Sequence, residues 1–597
     1  MIYIFIFFLN LFISTSIFGE EIEIIELHNK VSDTILIDSA KKNSNIEENF
    51  LIDSTEDNSN QSGKLLSSNN LITIESNNEN GVIAYPDFWE RSNKDEIIFL
   101  LDNIVLTNSK ILNNILIDSL LFNSLPPANL TQDEFNRHRV LTLIRLGKKN
   151  KAFKIISSFD DINNDDFYNL FKLNYYFSSY ELNLACDFND SIDKKKSLID
   201  KNFLLKVDIF CSFIRDKIDE ADFLISLLND IEDQDEYFQK IYTNLKNENN
   251  QNIEIKNYKH DLKSLALYSA ILRVGDMPLS NHFLDYDPSN LSMPIVLSDY
   301  SDFSIRLQAA HLAYRDEYLT SESLSALYQS VDFKYDELLD LSNAAKKIDN
   351  KPEMKMAYFY QKANIQILPI TRIQTLIEFW NFADNENLKL LAYDVSRNLI
   401  DSIEPSSELA EYGLDIIKAH IYNDNFELAK KWILFVENYQ SSEDSSFPDH
   451  IHAIKLLYDL KNTKIEEDFS NILFNDFFKE NEVLLNKISK DRYKIEIILT
   501  ISSIIGNSVD SKFTLNRSIT DERQMPSRYI LNKIKASALE DNLGEFILGL
   551  NLSIGNKKWN EIHPEHLKII LSSIKDLSID SLFEDIIIEI LEDSEII

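Results

Sequence analysis

The sequence predicts an all-α protein, an irregular solenoid of helical hairpins standing behind a disordered N-terminal tether. Three observations carry that expectation. Gly and Pro number 10 and 12 in 597 residues, far fewer than sheet proteins or glycine-rich nucleotide sites need for their turns. Apolar residues recur at i, i+3 and i+4 through most of the chain after residue 86, the period of a helix with one buried face. Between such stretches a six-residue corner returns: Gly147-Lys-Lys-Asn-Lys-Ala152, Asp216-Lys-Ile-Asp-Glu-Ala221, Asp424-Asn-Phe-Glu-Leu-Ala429 and, more loosely, Asp541-Asn-Leu-Gly-Glu-Phe546. A turn-forming residue ends one helix, polar residues make the corner, and a small residue lets the next helix approach closely.

Length and composition fit this reading. A chain of 597 residues exceeds one compact core and calls for several domains or an extended array, and 44% hydrophobic residues supply ample core material. The surface is acidic: 97 Asp and Glu against 60 Lys and Arg leave a net charge of -37. Nucleic-acid affinity comes largely from Lys and Arg displacing counterions, so DNA or RNA is not an expected partner. Solubility through self-repulsion explains the acidity better than a dedicated basic partner.

Residues 1–19 carry an apolar run, Ile2 to Ile13, followed by mostly small residues up to Gly19. This is the pattern of a secretory signal and is short for a membrane span. Cleavage is expected near Gly19, with Ser16 as the other site. No Lys or Arg precedes the run, so an uncleaved inner-membrane anchor facing the periplasm is the alternative. Residues 20–85 read as the tether, because 12 of the 23 residues from Asn58 to Asn80 are Asn or Ser and such a segment buries too little apolar surface to order.

The helical patterns then run in three arrays, 86–260, 261–440 and 441–597. In the first, Ile97 to Val105 and Ile111 to Leu120 lead to the stop at Pro126-Pro127. Arg137 to Leu146 pairs with Ala152 to Phe159, Phe167 to Cys186 reads as one helix, and Phe203 to Asp216 pairs with Glu220 to Asp230. The second opens with Leu262 to Val274, passes an irregular stretch from Gly275 to Pro294, and resumes at Ser301 to Tyr314, Ser321 to Ser330 and Tyr335 to Lys347. The third ends on Tyr529 to Leu539, Phe546 to Ile554 and a pattern from Glu565 to Leu591 broken near Asp580.

Two cysteines, Cys186 and Cys211, fall on neighbouring helical stretches, Cys211 within the stripe Phe203, Leu204, Val207, Phe210, Ile214. Antiparallel helices would bring them side by side, and an oxidising compartment favours a disulfide over two reduced core thiols.

Catalytic patterns fail on physical grounds. There is no GxGxxG, GxxxxGK, GxSxG or HExxH, so the glycine-dependent phosphate cradle and the nucleophile elbow are excluded. Asp187, Asn189, Ser191 and Asp193 alternate like a calcium loop, but Ile192 stands where Gly must turn the chain. His450 with His452, and His563 with His566, are the only close histidine pairs. The second reads better as a helix start, with Pro564 in the first turn, than as a metal site. No catalytic, cofactor-binding or metal-ligating residue is assigned, and no cofactor is expected.

The corners resemble those of tetratricopeptide-like repeats. Asp stands for Gly at two of the three better corners, and no steady 34-residue period can be written. The order of signal, spacer, Pro86-Asp-Phe-Trp89, Leu125-Pro-Pro127, Lys206-Val-Asp-Ile-Phe-Cys-Ser-Phe213 with Glu220-Ala221, and Leu265-Ala-Leu-Tyr-Ser-Ala270 with Met277-Pro278 resembles uncharacterised exported helical proteins of alphaproteobacteria. That resemblance implies export and helical architecture and no known activity. The function expected is a noncatalytic periplasmic scaffold binding a protein or peptide of the cell envelope. The alternatives are an envelope enzyme or enzyme accessory acting on peptidoglycan, and a membrane-tethered structural protein.

Overall fold

The computed structural model describes residues 87–159, 165–231, 235–440, 448–462, 491–506 and 522–597. The expected signal and tether, 1–85, lie outside them. Among the described residues the chain is helical throughout, with a lone bridge between Asn93 and Ala128, and no helix is long and apolar enough to cross a membrane.

Helices α1 (Lys94–Asn103), α2 (Lys110–Leu121), α3 (Gln132–Arg145) and α4 (Lys149–Ser157) come first. Each of the first three starts on a side-chain cap. Asn93 and Ser109 accept backbone N–H groups of the first turn, and Thr131 forms a reciprocal capping box with Glu134, satisfying donors that a helix start leaves unpaired. The carbonyls at the far ends are met by two arginines of α3: Arg139 donates to Leu120 O at 3.1 Å and Arg145 to Ile104 O at 3.3 Å. One helix therefore closes the C-termini of two others.

Next follow α5 (Asp166–Ser178), α6 (Leu182–Ser191), α7 (Lys201–Ile214), α8 (Ile218–Asp230), α9 (Glu236–Lys246) and α10 (Leu265–Val274). Then come α11 (Pro288–Val296), α12 (Phe303–Arg315), α13 (Ser321–Gln329), α14 (Leu341–Ile348), α15 (Pro352–Ile365), α16 (Pro369–Asn385) and α17 (Lys389–Val395). These thirteen make one compact unit, spanning 159–402. Most consecutive helices pack as neighbours, most extensively α7 with α8, α11 with α12 and α15 with α16, while α5 also lies against α10 and α11.

Three readings of the sequence need correction here. Phe167 to Cys186 is two helices, parted at Tyr180, whose backbone is left-handed at φ 61°. Tyr335 to Lys347 is likewise two, parted at Asp340, whose carboxylate accepts the Ser342 N–H at 2.9 Å and starts α14. The stretch expected to be irregular before Pro294 contains α11, with Pro288 in its first turn and Pro294 inside it. Pro288 needs no N–H there, which is why the helix starts on it.

The last helices are α18 (Gly413–Tyr422), α19 (Phe426–Gln440), α20 (Pro448–Asn462), α21 (Arg492–Ile505), α22 (Arg528–Leu539), α23 (Leu543–Ile554), α24 (Pro564–Asp576) and α25 (Asp580–Asp593). Together with α1–α4 they form the second compact unit. Within it α1 and α2 pack on α23, and α2 also touches α25.

The connection between ends is specific. Trp89 is fully buried and lies so close over Gly544 that a Cβ there would overlap its ring. Ser92 donates to Asn542 at 2.8 Å across 450 residues of sequence, the Asn93 N–H donates to Glu545 at 3.0 Å, and Glu589 of α25 accepts the Lys110 N–H at 3.0 Å and the Ser109 hydroxyl. Trp89 and the residues just after it are thus partners of the loosest of the four corners.

Candidate interaction surface

The corner geometry explains how the helices are set. Gly147, Asp216, Asp424 and Asp541 all have left-handed backbones, φ 78°, 59°, 56° and 52°. At Gly147 the N–H donates to Ile144 O, and that of Lys148 reaches back to Leu143 O at 2.8 Å; the same pair of bonds recurs at the other three. This double bond satisfies the last carbonyls of the first helix. The next residue opens the second helix, with Asn425 and Asn542 also accepting a first-turn N–H, and Ala152, Ala221 and Ala429 sit fully buried where the two helices meet.

Two further corners of the same construction stand at Tyr180 with Ala185 and at Asn387 with Ala392. They escape a search for Gly or Asp. The signal that finds them is the small residue five places on, because the packing requirement falls on the Ala, while the left-handed position tolerates Tyr or Asn at modest cost. With them in place the left-handed residues at 147, 180, 216 and 248, and again at 317, 350, 387 and 424, are 32 to 37 residues apart.

Helix α7 is the best anchored element of the first unit. On one side Cys211 forms a disulfide with Cys186 of α6, Cα atoms 5.5 Å apart. On the other, Lys206 Nζ lies 2.6 Å from Asp235 Oδ2, with both side chains under 5% exposed. The Tyr268 hydroxyl of α10 donates to the same oxygen, and the other carboxylate oxygen accepts the Phe238 N–H that begins α9, at 3.0 Å. Burial, with the nearby Asp235 charge, holds the Tyr268 phenol well above its usual range. At the end of α7, Arg215 reaches both Asp190 and Asp187 of α6 at 2.8 Å, and the Asp190 hydrogen bond raises its affinity for its proton.

Helix α8 rides on this anchored helix through Ala221 and Leu228, both fully buried. Its other face carries Phe223, Leu227 and Ile231, exposed to 63%, 38% and 56% and spaced one turn apart, so they form one stripe. The flanks are held: Lys246 of α9 pairs with Asp222 at 2.6 Å, and Gln239 donates to Asn229 at 3.1 Å. The stripe departs from the rule of its own array. Seven residues past the left-handed position the corners at 147, 180, 387 and 424 place Lys154, Asp187, Asp394 and Lys431; the corner at 541 places Leu548, which is buried. Phe223 is the exposed aromatic in a position otherwise charged or buried.

A concavity of about 780 Å³ opens between α14, α15 and α16, lined by Leu341, Ile348, Lys355 and Phe382 with Asp349 and Glu386 at its edge. Lys355 Nζ stands 4.4 Å above the Phe382 ring, so its charge is already engaged by the ring face.

The remaining singled-out residues have structural partners. His563 is the N-cap of α24, its Nδ1 accepting the Glu565 N–H at 3.1 Å, and His566 lies buried with Nε2 3.0 Å from the Ser553 hydroxyl. Asn189 donates to Asp208 at 2.6 Å. The side chains of His450 and His452 lie outside those described. No group of three or more His, Cys, Asp or Glu able to hold a metal occurs among the described residues. No known protein family, curated protein or solved structure matches the chain.

Proposed function

We propose that the protein is a noncatalytic, exported scaffold whose helical hairpins bind a protein or peptide partner of the cell envelope in the periplasm. The observation that carries this reading is the stripe on α8. Three large apolar side chains face solvent on a helix whose support is braced by a disulfide, a buried ion pair and an arginine fork. Single exposed apolar side chains are ordinary on a folded surface, but three grouped in one stripe form a patch of the kind that marks interaction sites. A preorganised support lowers the ordering cost of binding.

The disulfide supports export, because such bonds persist in oxidising compartments. The resemblance to exported alphaproteobacterial helical proteins points the same way. The test is crosslinking in cells followed by capture of the tagged protein, compared between the wild type and Phe223→Asp. A specific adduct lost in the variant supports the reading, and no specific adduct from either counts against it.

A further inference from the structure

We infer that the outer face of α8 receives a basic, amphipathic helix of a partner protein; this rests on the scaffold reading and names the chemistry of its partner. Helix α8 contains Asp219, Glu220, Asp222 and Asp230 and no Lys or Arg. Glu220 and Asp222 are paired, with Lys217 at 3.4 Å and Lys246 at 2.6 Å. Asp219 and Asp230 have no ion pair among the described residues, and both are exposed.

These two carboxylates bracket Phe223 and Leu227, with Ile231 just beyond the second. Asp219 lies one turn before Phe223, and Asp230 follows Leu227 by three residues, so the face reads acid, apolar, apolar, acid over about 16 Å of helix axis at 1.5 Å per residue and ends on Ile231. Side chains three and four apart share a face. A ligand that covers Phe223, Leu227 and Ile231 while neutralising both ends therefore needs apolar anchors at helical spacing with Lys or Arg on either side. A second amphipathic helix supplies that pattern from one short segment, and complementary charges steer the encounter and fix its register. The same carboxylates repel an anionic lipid surface, which disfavours a membrane as the occupant.

The experiment uses the purified full chain and an 18-residue probe peptide of Leu and Lys, with Leu on one helical face. Its counterpart keeps the Leu and replaces every Lys by Glu. Fluorescence anisotropy is expected to show one-to-one binding of the Leu/Lys peptide, weakened at least tenfold in F223S/L227S and about threefold or more in D219N/D230N, with no binding of the Leu/Glu peptide. Binding by D219N/D230N should also lose most of its salt dependence.

Because these side chains face solvent, the variants should keep the wild-type circular dichroism, and the single substitution F223Q serves if the double one does not. Equal binding of the Leu/Lys peptide to F223S/L227S would mean adventitious attraction to an acidic chain and would overturn the proposal. So would equal binding of the Leu/Glu peptide, no binding of the Leu/Lys peptide, or attachment to anionic vesicles that F223S/L227S abolishes. Discrete partner adducts in cells that map away from α8 would remove this site and leave the scaffold reading standing. The absence of any adduct would remove the scaffold reading itself.

Discussion

Trp89 lies buried over Gly544, so close that a single added methyl group would overlap its ring. Phe88 and Phe135 hold the indole edge-on, with ring centroids 5.0 and 5.5 Å away, so the ring cannot swing aside without disturbing α3. The first helices of the described chain are thereby committed to the corner between α22 and α23.

Gly544→Val is expected to destabilise the protein, by about 1–3 kcal/mol for overpacking of a filled core, and Trp89→Ala by about 3–5 kcal/mol for the cavity left behind. Urea denaturation followed by tryptophan fluorescence and by circular dichroism reads both. A Gly544→Val protein as stable as the wild type would show that the indole is not fixed there.

The disulfide closes a loop of 25 residues, for which chain entropy gives about 3.5 kcal/mol of stabilisation. C186S/C211S should therefore unfold at lower denaturant, and a thiol reagent should not label the native protein until it is reduced. Labelling of both cysteines without reductant would contradict the bond.

Removing one partner of the buried pair is costly because it strands a charge: Lys206→Met is expected to lose about 3–5 kcal/mol. Asp235 also starts α9 and accepts from Tyr268, so Asp235→Leu should lose at least as much. The double variant should recover part of the loss, since no buried charge remains. Strictly additive losses in the double-mutant cycle would show that Lys206 and Asp235 do not interact.

How much of this was legible in the sequence depended on which residue bore the constraint. Gly147, Asp216, Asp424 and Asp541 marked left-handed turns because small or polar residues accept that backbone. Tyr180 holds the same conformation without advertising it, which is why α5 and α6 read as one helix. The Cys186–Cys211 pairing followed from adjacent helices. The Trp89–Gly544 contact did not, because nothing local in either segment encodes a partner so far along the chain. The α8 stripe was hidden too: Phe223, Leu227 and Ile231 fit the period of a buried face, and only the packing of Ala221 and Leu228 reveals which face turned inward.

The left-handed corners make a direct prediction. Asp216→Gly should be neutral or slightly stabilising, whereas Asp216→Val should lose about 1–2 kcal/mol, the cost of a β-carbon-crowded left-handed backbone. Equal melting temperatures for the two variants would contradict the corner geometry.

Burial lowers the pKa of His566 to about 4, with Lys557 and His563 adding to the effect. In the unfolded chain the ring takes up its proton near pH 6.5, so between these values the unfolded state binds more protons. The stabilisation is therefore complete above pH 6.5 and declines as pH falls toward 4. The His566 ring resonance should not shift between pH 8 and 5.5, and a midpoint near 6.5 would contradict its burial.

The central claim is that this array presents a binding face, and photocrosslinking in living cells tests it most directly. A photoreactive residue at Ser226, on the outer side of α8 between Phe223 and Leu227, is compared with one at Lys431, on the solvent side of α19. The account predicts a discrete, reproducible adduct from position 226, lost on adding Phe223→Asp, and none of that mass from position 431. The same adduct from both positions, or none from position 226, would contradict it.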